Sequence, residues 1–292
     1  MTAHIPAFAK RTLRSLQRYA SDVRETYKEA TFRPYTTKKQ IDGIDFDFYV
    51  GDPTGQLWYD SSGPYSEGEL RFLRKHVVSH GDIIFDVGGH HGWHALIMSR
   101  LVGSEGKVFT FEPNPKNAEI IRRNVSLNGC ANVTVVTAAI GPRDQDVIVT
   151  NMSDTIIKPD KIIDRYWPED CRRKSVSQGI AVKMRSLDSY ACQHNIFPTL
   201  LKVDVEGYEI EVLRGSCSIL ARKPKLCLEI HHPDALARYQ TFVDDVFGLI
   251  TMSQYRLWLQ VGDNDDICPI EDTSELPKLG RRFHLYAVSL SN

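Results

Sequence analysis

Ile83-Ile84-Phe85-Asp86-Val87-Gly88-Gly89-His90-His91-Gly92 is the stretch that decides the architecture. A short apolar run flows without polar alternation into an acid and a glycine-rich bend. Unbroken apolarity of this length marks a strand covered on both faces, as in a parallel sheet flanked by helices. Glycines at the strand end let a ligand approach the backbone with no Cβ in the way. A helix predicted from His91 to Leu101 would offer its free N–H groups at the same place. The dinucleotide fingerprint starting at Gly88 requires glycine at positions 90 and 93. Those are His90 and Trp93, so the fingerprint fails. No P-loop for phosphate occurs elsewhere in the chain.

Outward from this stretch the pattern repeats. Strands are predicted at Lys107 to Phe111, Asn132 to Ile140, Leu200 to Val203 and Leu226 to Ile230. Helices are predicted at Pro115 to Leu127, Glu209 to Ala221 and Ala235 to Ile250. Alternation of this kind gives an α/β domain with a parallel sheet and helices on both faces. Tyr255 to Val261 and Phe283 to Leu290 close the chain as two strands with no helix between them, a C-terminal antiparallel hairpin. The expectation is a seven-stranded, mostly parallel sheet. Upstream, Ile44 to Val50 alternates like a half-buried strand, Gly51 to Gly63 is turn-rich, and Glu67 to Val78 reads as a helix. Val147 to Val149 and Ile180 to Val182 suit a hairpin over the sheet, and Ser186 to His194 a short helix. The domain division that follows is 1–43 as an N-terminal amphipathic helix and linker, and 44–292 as one domain with a polar insertion at 154–177.

The totals exclude several classes. The 292 residues carry a net charge of −1, so no basic field points to nucleic acid. No apolar run reaches the roughly 20 residues of a membrane helix. The six cysteines are scattered with no paired spacing, which fits neither a disulfide framework nor a zinc site and suits a reducing, cytoplasmic setting. Lys10, Arg11, Arg14 and Arg18 precede the first acid, while Leu13, Leu16, Ala20, Val23 and Tyr27 recur at helical spacing. An amphipathic helix docked on the domain is the simpler reading, and a transit or membrane-surface segment the other. Homo-oligomerisation is left open.

Ligands of open α/β sheets bind at the carboxyl ends of the strands. That rule directs attention to Asp86, Glu112, Ala138, Asp204 and Glu229 to His232. Asp86 beside the glycines would repel a phosphate but suits a cation, such as the sulfonium and ammonium of S-adenosyl-L-methionine. Glu112, about 20 residues after the bend, stands where a carboxylate accepts two ribose hydroxyls. Gly88, Gly89, His90 and Gly92 would line the donor, with Pro113 and Asn114 beside Glu112 and the backbone of Ala138 or Ala139 against the adenine. Tyr59 and Glu67 are candidates for the donor's carboxylate end. Methyl transfer to a hydroxyl needs alignment and a proton sink. Asp204, Glu206 and His231 are the candidate catalytic residues, His231 ahead of its neighbour His232, and Asp204 is equally a candidate to position the donor's methionine end. A zinc reading of His90 with His94 is disfavoured because His90 falls in the bend. Magnesium on Asp204 with Glu229 or His231 is the other metal reading; none is assigned.

At this point the chain resembles a known family. Asp86 to Gly92, Phe111-Glu112-Pro113-Asn114-Pro115, Asn124 with Leu127-Asn128-Gly129, Leu200 to Gly207 and Leu228-Glu229-Ile230-His231 together resemble the FkbM methyltransferases, in order, over residues 44 to 232. The resemblance implies a class I methyltransferase, Rossmann-like fold and S-adenosyl-L-methionine as donor. It also implies O-methylation of a sugar, glycolipid or natural product, with a small-molecule or glycan acceptor. Gly89-His90 departs from the Ala-Asn common in that family, and the 154–177 segment is longer. N-methylation of a small molecule or protein, or a non-catalytic binding protein on the same fold, are the alternatives.

Overall fold

A computed structural model describes residues 27–60, 66–150, 157, 179–262 and 266–290. The chain first forms a hairpin of β1 (Tyr35–Ile41) and β2 (Ile44–Val50), paired over seven residues each. Asp42 and Gly43 turn it with φ of 45° and 74°, the left-handed pair that a two-residue hairpin requires. This hairpin spans the boundary expected at residue 43. Its first strand was hidden because only Ile41 of Tyr-Thr-Thr-Lys-Lys-Gln-Ile is buried.

Helix α1 (Pro53–Tyr59) occupies the stretch expected as turns. Asp52 caps it, accepting the Gly55 N–H at 2.7 Å, and Pro53 supplies a preset φ at the first position. Helix α2 (Glu67–Phe72) continues as a π-turn to Val77. Then come β3 (Ile83–Val87), α3 (Trp93–Val102), β4 (Lys107–Phe111), α4 (Pro115–Leu127) and β5 (Val133–Val136). The strand expected from Asn132 to Ile140 breaks at Thr137. Its end, β6 (Ala139–Ile140), joins a separate sheet ordered β6-β8-β7 with β7 (Gln145–Thr150) and β8 (Gly179–Arg185). In that sheet Val147, Ile148 and Val149 pair antiparallel with Val182, Ala181 and Ile180, as the pattern suggested.

The second half contains α5 (Leu187–His194), β9 (Leu200–Val203), α6 (Glu209–Arg214), α7 (Cys217–Leu220) and β10 (Lys225–Ile230). It ends with α8 (Pro233–Ala237), α9 (Asp244–Leu249), β11 (Tyr255–Val261), β12 (Cys268–Ile270) and β13 (Phe283–Ser289). Two helices expected as continuous are each divided. Glu209 to Ala221 parts at Gly215, where a Cβ would lie 2.0 Å from the Gly141 carbonyl oxygen. Ala235 to Ile250 parts between Ala237 and Asp244.

The central sheet is ordered β12-β11-β13-β10-β9-β3-β4-β5. Strands β10, β9, β3, β4 and β5 are mutually parallel, and β13 runs antiparallel between β10 and β11. The sheet has eight strands rather than the expected seven. The addition is β12, too short for alternation to reveal, with Pro269 on an edge where a missing N–H does no harm. Both faces are covered. Phe85, Phe111, Tyr190, Leu201, Leu213 and Leu228 pack on one side, and Ile84, Trp93, Ile97, Trp258 and Tyr286 on the other. The order and covering are those of the expected class I methyltransferase fold. No helix among the described residues is long and apolar enough to cross a membrane. The cysteines among them, all but Cys171, are free. The expected N-terminal helix lies outside the described residues except for a helical turn at 27–31, and the 154–177 insertion except for Ile157, which bridges to Val149.

Candidate active site

The bend after β3 packs against the tips of its two neighbours. Gly88 has φ of 91°, and a Cβ there would lie 1.8 Å from the Asp204 carbonyl oxygen. Glycine is therefore required for the bend to touch the end of β9. The N–H groups of Gly88 and Gly89 both donate to the Phe111 carbonyl at 3.1 Å, and Asp204 N–H donates to the Val87 carbonyl at 3.0 Å. These bonds fix the tips of β3, β4 and β9 in one rim.

Glu112 stands on that rim, 3 % exposed. Its Oε2 accepts the His90 N–H at 2.9 Å and its Oε1 the Asn114 N–H at 2.8 Å. Burial pushes its carboxyl up to about 8, although both amide donors pull the other way. A cavity opens in front of it. Val87 and Gly88 at the tip of the central β3 line it, with Phe111, Pro113, Ala138 and Ile140 from the β4–β5 side, Asp204, Val205, Glu206 and Glu229 from the β9–β10 side, and His90, His94, Trp58, Tyr59, Ile157 and Arg282 completing the wall.

Of the residues singled out from sequence, Gly88, His90, Glu112, Pro113, Ala138, Asp204 and Glu206 meet in this cavity, as does Tyr59. Gly89, Gly92, Asn114, Ala139 and the expected catalytic His231 are not among the lining residues. Gly89 abuts Thr110, Gly92 begins α3 in the left-handed conformation, and Asn114 caps α4 by accepting the Lys116 N–H. Ala139 is fully buried. Glu67 lies exposed at the start of α2, and His232 caps α8 by accepting the Asp234 N–H at 3.2 Å.

Asp86 departs most from expectation. It is fully buried and does not line the cavity. Its Oδ2 accepts the Thr110 hydroxyl at 2.9 Å, and its Oδ1 lies 3.1 Å from Lys202 Nζ. The register explains this: Asp86 faces Thr110 on β4 and Lys202 on β9. The two acids expected to embrace one ligand thus have different environments. Glu112 faces the cavity, and Asp86 neutralises a buried lysine behind it.

Lys202 also reaches toward Asp204, 3.6 Å from Oδ2. Burial and the neighbouring Glu229 push the Asp204 carboxyl up to about 6, with Lys202 opposing. Glu229 itself is driven up by burial, but His284, His231 and Arg282 outweigh that and hold it well below the usual range. Its Oε1 lies 2.8 Å from Arg282 Nη1 and its Oε2 3.0 Å from His284 Nε2. His284 in turn meets Gln260 Oε1 through Nδ1 at 3.0 Å.

His231 is 9 % exposed and is held by Glu209, a fully buried residue at the start of α6. Glu209 Oε1 accepts the Gly207 N–H at 2.9 Å and lies 2.8 Å from His231 Nδ1. The other ring nitrogen faces Glu206 at 3.5 Å and Glu229 at 3.7 Å. Burial lowers the His231 pKa, but Glu209, then Glu206 and Glu229, raise it to about 10. Asp204, Glu229 and His231 bring one possible metal-ligating atom each within 4.8 Å of one another. Lys202 lies against Asp204, and Arg282 and His284 against Glu229.

Sequence reading missed Lys202, Glu209, Arg282, His284 and Trp58. One signal was available for Lys202. A lysine inside the apolar run Leu200-Leu201-Lys202-Val203 needs a buried partner, and a neighbouring strand carries Asp86.

The Methyltransferase FkbM domain matches residues 86–257, more than half of the chain. The Protein-L-isoaspartate(D-aspartate) O-methyltransferase family matches 23–141. The Hexuronic acid methyltransferase AglP of Haloferax volcanii is 29% identical over 151 residues, 51% of this chain and 56% of that protein. A Protein-L-isoaspartate O-methyltransferase of Methanococcoides burtonii is 37% identical over 91 residues, 30% of this chain and 44% of that one. The chain thus spans about half the length of these curated relatives. A solved SAM-dependent O-methyltransferase of Thermotoga maritima is similar with a TM-score of 0.44 and 11% identity, over 87% of this chain and 77% of that one. With that domain matched from Asp86 on β3 to Leu257 on β11, the chain belongs to the FkbM methyltransferase family.

Proposed function

We propose that this chain transfers a methyl group from S-adenosyl-L-methionine to a hydroxyl oxygen of a small-molecule or glycan acceptor. The observation that carries the reading is the Glu112 carboxylate. Two backbone N–H groups aim it, and it faces a cavity whose wall at Gly88 has no side chain. A carboxylate held in this way has acceptor capacity left for a pair of vicinal hydroxyls. Val87, Phe111, Ala138 and Ile140 provide the apolar surroundings that a purine base favours. When bound, the donor supplies an electrophilic methyl group on a sulfonium.

The other end of the cavity supplies the proton acceptor. Asp204, with its carboxyl pushed up to about 6, is ionised at neutral pH yet basic enough to take a proton. It receives the acceptor's hydroxyl proton as the oxygen bonds to the methyl carbon and the carbon–sulfur bond breaks. His231, raised to about 10, is an imidazolium there; it holds Glu206 and Glu229 in place rather than serving as the base expected from sequence. Glu206, with its side chain 49% exposed, stands at the rim to accept a second acceptor hydroxyl.

The acceptor we favour is a sugar acid. The Haloferax relative is described as a hexuronic acid methyltransferase, and that likeness is what favours a sugar acid here. A protein isoaspartyl acceptor has less support, because that family's match ends at residue 141, before Asp204, Glu229 and Arg282. Methyl-labelled donor offered with matched glucuronate- and glucose-terminated glycans tests the reading. The expected result is a base-stable methyl ether on the glucuronate glycan. A base-labile ester, or labelling of isoaspartyl peptide alone, would contradict it.

A further inference from the structure

We infer that Tyr59 is a positioning residue for the donor, acting through His90 on Glu112. This rests on reading Glu112 as the ribose-binding carboxylate. His90 is a non-glycine residue in the left-handed region, with φ of 48°. For a side-chain-bearing residue that conformation persists only where the surroundings hold it. It matters because the His90 N–H, pointing as this φ dictates, is one of the two amides that aim Glu112.

The holding groups come from α1. The Tyr59 hydroxyl lies 2.5 Å from His90 Nδ1. Burial lowers the His90 pKa and favours the neutral imidazole; in the tautomer with its proton on Nε2, the Tyr59 hydroxyl donates and Nδ1 accepts. On its far face the His90 ring stacks on His91, with centroids 4.1 Å apart and planes within 2°. His91 Nε2 lies 3.5 Å from Oδ2 of Asp52, the cap of α1. Tyr59 itself is fixed by stacking on Trp93 at 5.6 Å and 15°. Helix α1 therefore grips the bend at both histidines, and the Tyr59 hydroxyl holds the one whose backbone serves Glu112. Loss of this hydroxyl frees His90 to turn and Glu112 to lose an aligned donor.

The test is a double-mutant cycle on the full chain, read as affinity for S-adenosylhomocysteine. Ligand-detected NMR covers the variants too weak for calorimetry. Tyr59→Phe keeps the ring and its stacking, so the fold is retained. It should weaken binding by about five-fold, the effect of one neutral hydrogen bond. In a Glu112→Ala background the same substitution should change affinity by less than about two-fold, because the group it acts through is gone. Equal loss in both backgrounds, the result for a purely structural tyrosine or one touching the donor directly, would overturn the inference. So would no loss from Tyr59→Phe alone. If Glu112→Ala by itself left affinity unchanged, the ribose reading would fall and this inference with it.

Discussion

The two ends of the cavity are held by different means. At the proposed donor end, main-chain donors point at the acid and neutral side chains brace them: the His90 and Asn114 N–H groups donate to Glu112, Asn117 lies beside them, and Tyr59 holds His90. At the acceptor end, side chains hold side chains. Lys202 bridges Asp86 and Asp204, Glu209 holds His231, and His284 with Arg282 holds Glu229. A backbone donor keeps its direction through a side-chain substitution so long as the residues that brace the bend remain, here Tyr59 on His90. A network of paired charges can be rewired residue by residue, which suits an end that must recognise different acceptors.

The sharpest way to break this comparison is at the seam. Lys202→Met leaves Asp86, fully buried, without its cation. Removing one partner of a buried pair costs about 3–5 kcal/mol, so chemical denaturation should show a loss of that order. A loss under about 1 kcal/mol would mean that Asp86 is satisfied by Thr110 alone and that the ends are not ionically joined.

Asp204→Asn tests the division of labour. Methyl transfer should fall by about 10²–10⁴-fold, the usual contribution of a general base. Affinity for S-adenosylhomocysteine should stay within about three-fold. A parallel fall in both would place Asp204 at the donor end instead.

Most of the donor end was legible in the sequence, because glycines and strand-end acids lie within one or two residues of the strands that position them. Gly88 and Glu112 follow from reading where an apolar run stops, whereas the strand before Ala138 ends earlier than its pattern suggests. Asp86 shows the limit of that rule. It precedes the glycines as expected, but strand alternation turns its side chain onto Lys202, and only the register of β3 against β9 reveals that. The acceptor end was less legible. Glu229 and His284 lie opposite each other on β10 and β13, 55 positions apart in the chain. No local pattern links them. The missed β1 and β12 have separate causes: one presents a polar face, and the other is three residues long.

Calorimetry with S-adenosylhomocysteine between pH 6.5 and 9, on the wild-type chain and Glu112→Ala, tests the central claim most directly. The Glu112 carboxyl titrates near 8, and its ionised form is the one that accepts ribose hydroxyls. Binding must therefore release a proton below that pH. Wild-type affinity should tighten by about five-fold from pH 7 to 8 and level off above. Glu112→Ala should bind about 10–100-fold more weakly, with that pH dependence gone. Folded wild-type protein that gives no heat, or a Glu112→Ala variant that matches it at every pH, would contradict the account.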